Sequence, residues 1–292
     1  VTGSYNIAVG SSALRYVSSG ASNVAIGVNS LESNTTASNN TAVGMSSLAA
    51  NTTGNYNVAL GATAFDALTS GDYNVAIGYA SLGANTTGGE NTAVGGYALL
   101  TNVTGEANVG IGYASLRTNV ASSNTAMGYE SMRLNTSGAN NTAIGRAALY
   151  TNTTGAENVS VGKNSLLANT TGSNNVAIGV EAMDANTTGA SNVGIGKAAL
   201  GSNTTGTRNI ALGPYALDAS DTENDNLAIG YDAMTTDTAG GQYNVAIGNY
   251  ALDALGAGDN NTAIGYQAGS AATSAGENTF VGYHAGLLCV DG

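Results

Sequence analysis

The chain is short of the residues that most protein chemistry draws on. Among 292 residues there is one cysteine, one histidine and one proline, and no tryptophan. Cys289 has no partner for an intrachain disulfide, so no bridge framework holds the fold. It reads as a small apolar residue beside Leu287, Leu288 and Val290, or as one half of an interchain disulfide. His284 with a single cysteine makes no metal cluster. No Ser/His/Asp constellation emerges either, because the serines are repeat positions. Gly78 to Ala80 lacks the strand–loop–helix setting of a phosphate loop. The expectation is a protein that is not an enzyme and carries no cofactor.

Charge is scarce too. Seven basic residues face nineteen acidic ones, for a net charge of −12. Nucleic acid and anionic membrane surfaces attract Lys and Arg, so neither is expected as a partner. No apolar run reaches the 18 residues of a membrane-spanning helix. No signal peptide is visible, and Val1 already lies inside a repeat, as expected of a processed chain or a fragment.

What is present is one motif, Asn-x-Ala-x-Gly, repeated from end to end. Its asparagines are Asn6, Asn23, Asn40, Asn57, Asn74, Asn91, Asn108, Asn124, Asn141, Asn158, Asn175, Asn192, Asn209, Asn226, Asn244, Asn261 and Asn278. The spacing is 17 residues, except 16 from Asn108 to Asn124 and 18 from Asn226 to Asn244. A loop absorbs such slips and a core strand does not.

With the asparagine at position 0, position +4 is always glycine: Gly10, Gly27, Gly44, Gly61, Gly78, Gly95, Gly112, Gly128, Gly145, Gly162, Gly179, Gly196, Gly213, Gly230, Gly248, Gly265 and Gly282. Positions +1 and +3 are Val, Ile, Leu, Thr or Met. Position +2 is Ala apart from Gly110, Ser160, Gly194 and Phe280. Position +7 is Ala or Ser. Position +8 is Leu, Met or Phe until Gly269 and Gly286. Many copies close with Asn-Thr-Thr-Gly. No charge occupies positions 0 to +4, +7 or +8 in any copy, where composition alone would place about ten. Desolvating an unpaired charge is costly, so these positions are expected to face inward or to pack against something.

β-branched residues at +1 and +3 and an invariant glycine oppose helix and suit strand. The expected fold is all-β, a parallel β-solenoid of about seventeen 17-residue coils. Each coil is expected to carry two short strands, at 0 to +4 and +6 to +10. Residues 1–286 form the repeat domain, and 287–292 are its C-terminal end or the start of a following segment. The asparagines are read as a structural ladder, each amide bonding the next coil or capping a turn. The glycines are read as positions of positive φ or of close backbone approach. Side chains alternate across a strand, and both faces of the first strand are uncharged. A two-layer roll covers only one of them, so a homo-oligomer is expected.

Several residues invite functional readings. Tyr79, Tyr113, Tyr129, Tyr231, Tyr266 and Tyr283 at +5, with Tyr5, Tyr56, Tyr73 and Tyr243 before the asparagine, are possible surface binding residues for carbohydrate or a protein partner; edge packing on the adjacent coil is the alternative. His284, at +6, reads as an exposed polar residue. Asp218, Asp221, Asp225 and Asp232 read as a solvated acidic surface, with Ca²⁺ binding as the alternative. Asn85 and Asn203 match the N-glycosylation acceptor, although their recurrence is better explained as turn chemistry.

Units such as Asn260 to Ala268, followed by a Gly-containing turn, resemble head repeats of YadA-type trimeric autotransporter adhesins, and still more the repeats of phage and phage-like tail-fibre proteins. The resemblance runs over nearly the whole chain. It implies a left-handed parallel β-roll assembled as a homotrimer, intertwined or side by side, at a virion or cell surface. The period departs from the adhesin heads, and no coiled-coil stalk, membrane anchor or chaperone domain is visible. The function expected is therefore a trimeric shaft of a tail fibre or surface appendage that mediates attachment. A self-assembling extracellular filament is the alternative. Ice binding is a minor one, since Thr fills +1 only at Thr41, Thr92, Thr125, Thr142, Thr262 and Thr279.

Overall fold

A computed structural model describes residues 2–236, 241–272, 274 and 276–288. Cys289 and Val290 lie outside the described residues. The chain is a parallel β-solenoid of seventeen coils, divided into two compact units, Val1–Asn141 and Thr142–Gly292.

The first unit holds β1 (Ile7–Val9), β2 (Val24–Ile26), β3 (Thr41–Val43), β4 (Val58–Leu60), β5 (Val75–Ile77), β6 (Thr92–Val94), β7 (Val109–Ile111) and β8 (Thr125–Met127). The second holds β9 (Thr142–Ile144), β10 (Val159–Val161), β11 (Val176–Ile178), β12 (Val193–Ile195), β13 (Ile210–Leu212), β14 (Leu227–Ile229), β15 (Val245–Ile247), β16 (Thr262–Ile264) and β17 (Thr279–Val281). Within each unit, successive strands pair in parallel with +1 opposite +1, as Thr41 opposite Val58 and Val176 opposite Val193. The irregular coils keep this register, with Val109 opposite Thr125 and Leu227 opposite Val245. The missing residue of the short coil falls in its final loop, where the Asn108 amide reaches the Ala121 carbonyl, thirteen residues on instead of the usual fourteen.

Among the described residues each coil carries one strand of three residues, not the two strands expected. The residue before the asparagine has φ near +60°, as in Tyr56 at 58° and Glu157 at 59°, and this starts the strand abruptly. The +4 glycine ends it. The +6 to +10 segment is no strand because +6 and +8 are themselves left-handed, for example Asn164 at 59° and Leu166 at 47°. The physical reason lies in the side chains. An extended backbone sends consecutive residues to opposite faces, yet the sequence buries both +7 and +8, as with Ser165 and Leu166. Left-handed conformers turn both inward. They cost about 1–2 kcal/mol for each non-glycine residue. Core burial offsets that cost, as do hydrogen bonds between coils such as Leu166 N–H to the Ala182 carbonyl (3.0 Å).

The interior is thin. Its main large side chain is +8: Leu31, Leu48, Phe65, Leu82, Leu99, Leu116 and Met132 in the first unit are fully buried, and Leu68 and Leu255 at +11 add a second in their coils. Around it lie the position-0 asparagine, the +2 alanine and the small +7 residue, also buried. Of the charge-free positions, +1 and +3 are the exceptions to the inward expectation. They point outward, with Ile26, Ile144, Ile178, Ile195 and Ile264 38–40% exposed. Alternation explains this, since the side of the strand lined by Asn and Ala is the one that faces the core.

The glycines at +8 in the last two copies are a compensated exchange. Phe280 replaces Ala at +2, and its ring fills the space a +8 side chain would take: a Cβ on Gly269 would lie 2.7 Å from Phe280 Cδ2, and one on Gly286 2.3 Å from Cδ1.

Gly145 shows what +4 demands. Its φ is +136°, and a Cβ there would lie 2.5 Å from the Gly162 carbonyl oxygen of the next coil. Strain and steric clash therefore add together at this site. Gly145→Val should cost at least about 3 kcal/mol. Lys163→Ala removes only a half-exposed contact to Glu181 at 3.8 Å and should stay within about 1 kcal/mol. Thermal melts of the two variants compare them directly, and equal melting temperatures would contradict the assignment.

Candidate functional surfaces

One asparagine ladder runs through the interior of each unit, and a second joins Asn119 to Asn135 in the first unit and Asn152 through Asn203 in the second. In the first, Asn40 donates its backbone N–H to Asn23 Oδ1 at 3.0 Å and its Nδ2 to the Gly54 carbonyl at 2.9 Å; its own Oδ1 accepts the Asn57 N–H at 2.9 Å. The second unit repeats the pattern, with Asn192 N–H to Asn175 Oδ1 at 3.0 Å and Asn192 Nδ2 to the Gly206 carbonyl at 2.7 Å. Each side-chain amide thus accepts from the asparagine N–H of the next coil and caps the loop that leads to it.

The second ladder stands at +11, at the asparagine of Asn-Thr-Thr-Gly. Asn169 Nδ2 donates to Asn152 Oδ1 at 2.9 Å and to the Gly172 carbonyl at 3.0 Å, and Asn186 Nδ2 reaches Asn169 Oδ1 at 2.8 Å. Sequence reasoning took this segment as turn chemistry alone. The signal it missed was recurrence of asparagine at +11 in ten copies, the same phasing that singled out position 0. Full burial of Asn85 and Asn203, and the donation of Asn203 Nδ2 to Asn186 Oδ1 at 2.9 Å, rule both out as glycan acceptors in the folded chain.

Interruptions of this ladder are informative. Leu68 occupies +11 in one coil, and in the next coil neither side-chain polar atom of Asn85 has a hydrogen-bond partner. Where Ser220 takes the place of asparagine, Glu223 folds inward, 4% exposed, and its Oε2 accepts from Ser220 Oγ (3.0 Å), Asp221 N–H (2.7 Å) and Thr222 N–H (2.9 Å). Three donors satisfy the buried carboxylate.

The acidic group near residue 225 does not converge. Asp225 makes a two-point ion pair with Arg208, both contacts 2.6 Å, which holds its carboxyl below the usual range. Asp221 accepts from Thr204 Oγ1. Asp218 and Asp232 stand at other corners of their coils, +9 and +6. Among the described residues, no three His, Cys, Asp or Glu side chains lie together as a metal site. Asp66, Asp184, Asp218 and Asp253 all stand at +9, and burial pushes each carboxyl up; Glu181 adds to the effect at Asp184, as does Asp184 at Asp218. A separate open groove of about 350 Å³ is lined by Asp72, Tyr73, Glu90 and Glu106.

The tyrosines form rows along the coil corners. In the first unit Tyr79, Tyr97, Tyr113 and Tyr129 follow one another with ring centroids 5.3–5.8 Å apart. In the second, Tyr215, Tyr231, Tyr250, Tyr266 and Tyr283 do so at 5.6–6.0 Å. Tyr97, Tyr215 and Tyr250 stand at +6 and were missed, since the sequence reading took only +5 and the residue before the asparagine. A simple rule governs the geometry. Rings from the same repeat position stack nearly parallel, as Tyr56–Tyr73 (2°), Tyr113–Tyr129 (15°) and Tyr266–Tyr283 (13°). Neighbours that mix +5 with +6 meet edge to face, at 73–89°. All six +5 tyrosines are 40–73% exposed, so packing on adjacent coils leaves them accessible. His284 is half-buried rather than exposed, because its ring lies 3.7 Å from that of Tyr283.

Comparison with known proteins returns no matching family model, no matching curated protein and no matching solved structure.

The interior groups lead to two tests. Asn169→Leu strips partners from Asn152 and Asn186 and should cost about 1–3 kcal/mol, whereas Asn85→Leu removes two orphaned polar atoms and should be neutral or stabilising. Chemical denaturation of both variants reads the difference; an equal loss for both would count against the ladder. The second concerns pH. A carboxyl whose folded pKa lies above its unfolded value binds its proton more tightly in the folded chain, so folding gains as pH falls through that raised value toward about 4. The melting temperature should therefore rise on mild acidification, and Asp218→Asn should flatten the rise. The Asp225 pair opposes this trend, since its contribution fades at still lower pH. An unaltered slope in the Asp218 variant would remove that residue from the explanation.

Proposed function

We propose that this solenoid is a non-catalytic structural segment of a trimeric fibre, a tail-fibre shaft or surface appendage that holds an attachment region away from a virion or cell. The observation that carries the reading is the outward face of the strands. In each unit the +1 and +3 side chains form two unbroken apolar or Thr rows with no charge in either.

Fully burying one such side chain removes on the order of 100 Å² from water. The exposed two-fifths of +3, with the smaller open part of +1, then amount to roughly 60 Å² per coil, or about 500 Å² over a nine-coil unit. That approaches the roughly 800 Å² per partner of a standard specific interface. A second copy is the natural occupant. Its rows repeat at the same spacing of about 4.8 Å, so every row meets a row, and no mismatch accumulates along the axis. Three copies close such a contact around an axis in the proteins that the repeat resembles. Extracellular exposure, at a virion or cell surface, comes from the same resemblance. The variable +5, +6 and +9 positions remain free to meet a carbohydrate or protein receptor. Thr alternates irregularly with Val along +1, which disfavours ice binding.

Light scattering on the purified chain tests the assembly. A mass of three chains is expected, and Ile178→Lys with Ile195→Lys should reduce it to one while the melting of the coil itself persists. A monomer at every concentration would overturn the proposal.

A further inference from the structure

We infer that the three face-to-face tyrosine pairs are oxidative coupling sites, at which a peroxide-driven haem peroxidase joins successive coils through a carbon–carbon bond. The inference stands apart from the fibre reading, since it needs only ring geometry and exposure.

Tyr56 and Tyr73 hold the same position in adjacent coils. Both have φ near +60°, so their side chains leave the backbone in the same direction. Their centroids are 5.0 Å apart, their planes differ by 2°, and they are 51% and 60% exposed. Tyr113–Tyr129 at 5.5 Å and Tyr266–Tyr283 at 5.6 Å share the arrangement.

Each phenol loses one electron and its hydroxyl proton to give a phenoxyl radical, whose unpaired spin reaches the ring carbons ortho to oxygen. Two such carbons bond when their π lobes point at each other, which requires parallel rings. Each joined carbon then releases its hydrogen to the phenoxyl oxygen, restoring both rings and both hydroxyls. The pair thus loses two hydrogen atoms as two electrons and two protons. One hydrogen peroxide accepts them and leaves as two waters. In the edge-to-face neighbours, such as Tyr79–Tyr97 at 86°, the π lobe of the edge carbon points away from its partner, and coupling is disfavoured.

Close contact between half-exposed rings also restricts the search each radical must make. Half exposure leaves the rings free to swing from the stacked arrangement into the in-plane linkage of the coupled product. The product is a covalent tie between residues 16 or 17 positions apart, across the same gap that the asparagine ladder spans inside.

The full chain, treated with a haem peroxidase and hydrogen peroxide and then digested, tests this by mass spectrometry of the linked peptides. Links at Tyr56–Tyr73, Tyr113–Tyr129 and Tyr266–Tyr283, each with loss of two hydrogens, are expected to exceed all other tyrosine links at least tenfold. Tyr73→Phe should abolish the link to Tyr56, and Tyr97→Phe should leave all three. Absence of coupled tyrosine, or links spread evenly over the edge-to-face pairs or between chains, would overturn the inference.

Discussion

An asparagine amide that must be satisfied in every coil is the constraint from which the rest of this architecture follows. The interior holds one or two large apolar side chains per coil, too little to enclose the backbone in hydrocarbon alone. Loops that cross it bring buried carbonyls and N–H groups with them, and each needs a partner. Asn40 supplies both kinds at once, donating to the Gly54 carbonyl and accepting the Asn57 N–H. Such an amide works only if the next coil is one strand spacing away at the same register. Height, register and coil content are thereby locked together.

That lock explains where the chain tolerates variation. The 16- and 18-residue coils keep strand register because the change falls before the carbonyl that the asparagine caps, thirteen residues on from Asn108 and fifteen from Asn226. Leu68 and Ser220 interrupt only the second ladder. At Ser220 the inward Glu223 accepts from three donors of its own loop, yet Asn203 Oδ1 in the coil before it has no partner, and in the coil after Leu68 both polar atoms of Asn85 lack one. The first ladder has no interruption among the seventeen copies. Phe280 with Gly269 and Gly286 shows the same compensation in the apolar core, volume moving from +8 to +2.

The regularity inside also orders the outside. Every +1, +3 and +5 side chain leaves its coil from a backbone like that of its neighbour. Surface residues therefore come in rows, and a chemical property shared by two successive copies becomes a local stack. This is how tyrosines of the same position lie parallel while those of mixed position meet edge to face. It is also how weakly apolar residues, unexceptional singly, add to a continuous uncharged outward face in each unit.

Much of this was written in the sequence. The invariant position-0 asparagine and +4 glycine, the seventeen-residue period and the exclusion of charge announce stacked parallel coils, because only stacking makes one position equivalent in every copy. The +11 asparagines and the +6 tyrosines were legible by the same phasing. Three features were decided by tertiary structure. Which strand face is the core depends on where the return segment lies, since both faces are uncharged. The left-handed +6 and +8 residues arise because two consecutive side chains must share one thin interior, a demand that local propensity does not register. The inward turn of Glu223 depends on its three donors, Ser220 Oγ and the N–H groups of Asp221 and Thr222, which the folded loop brings to one point.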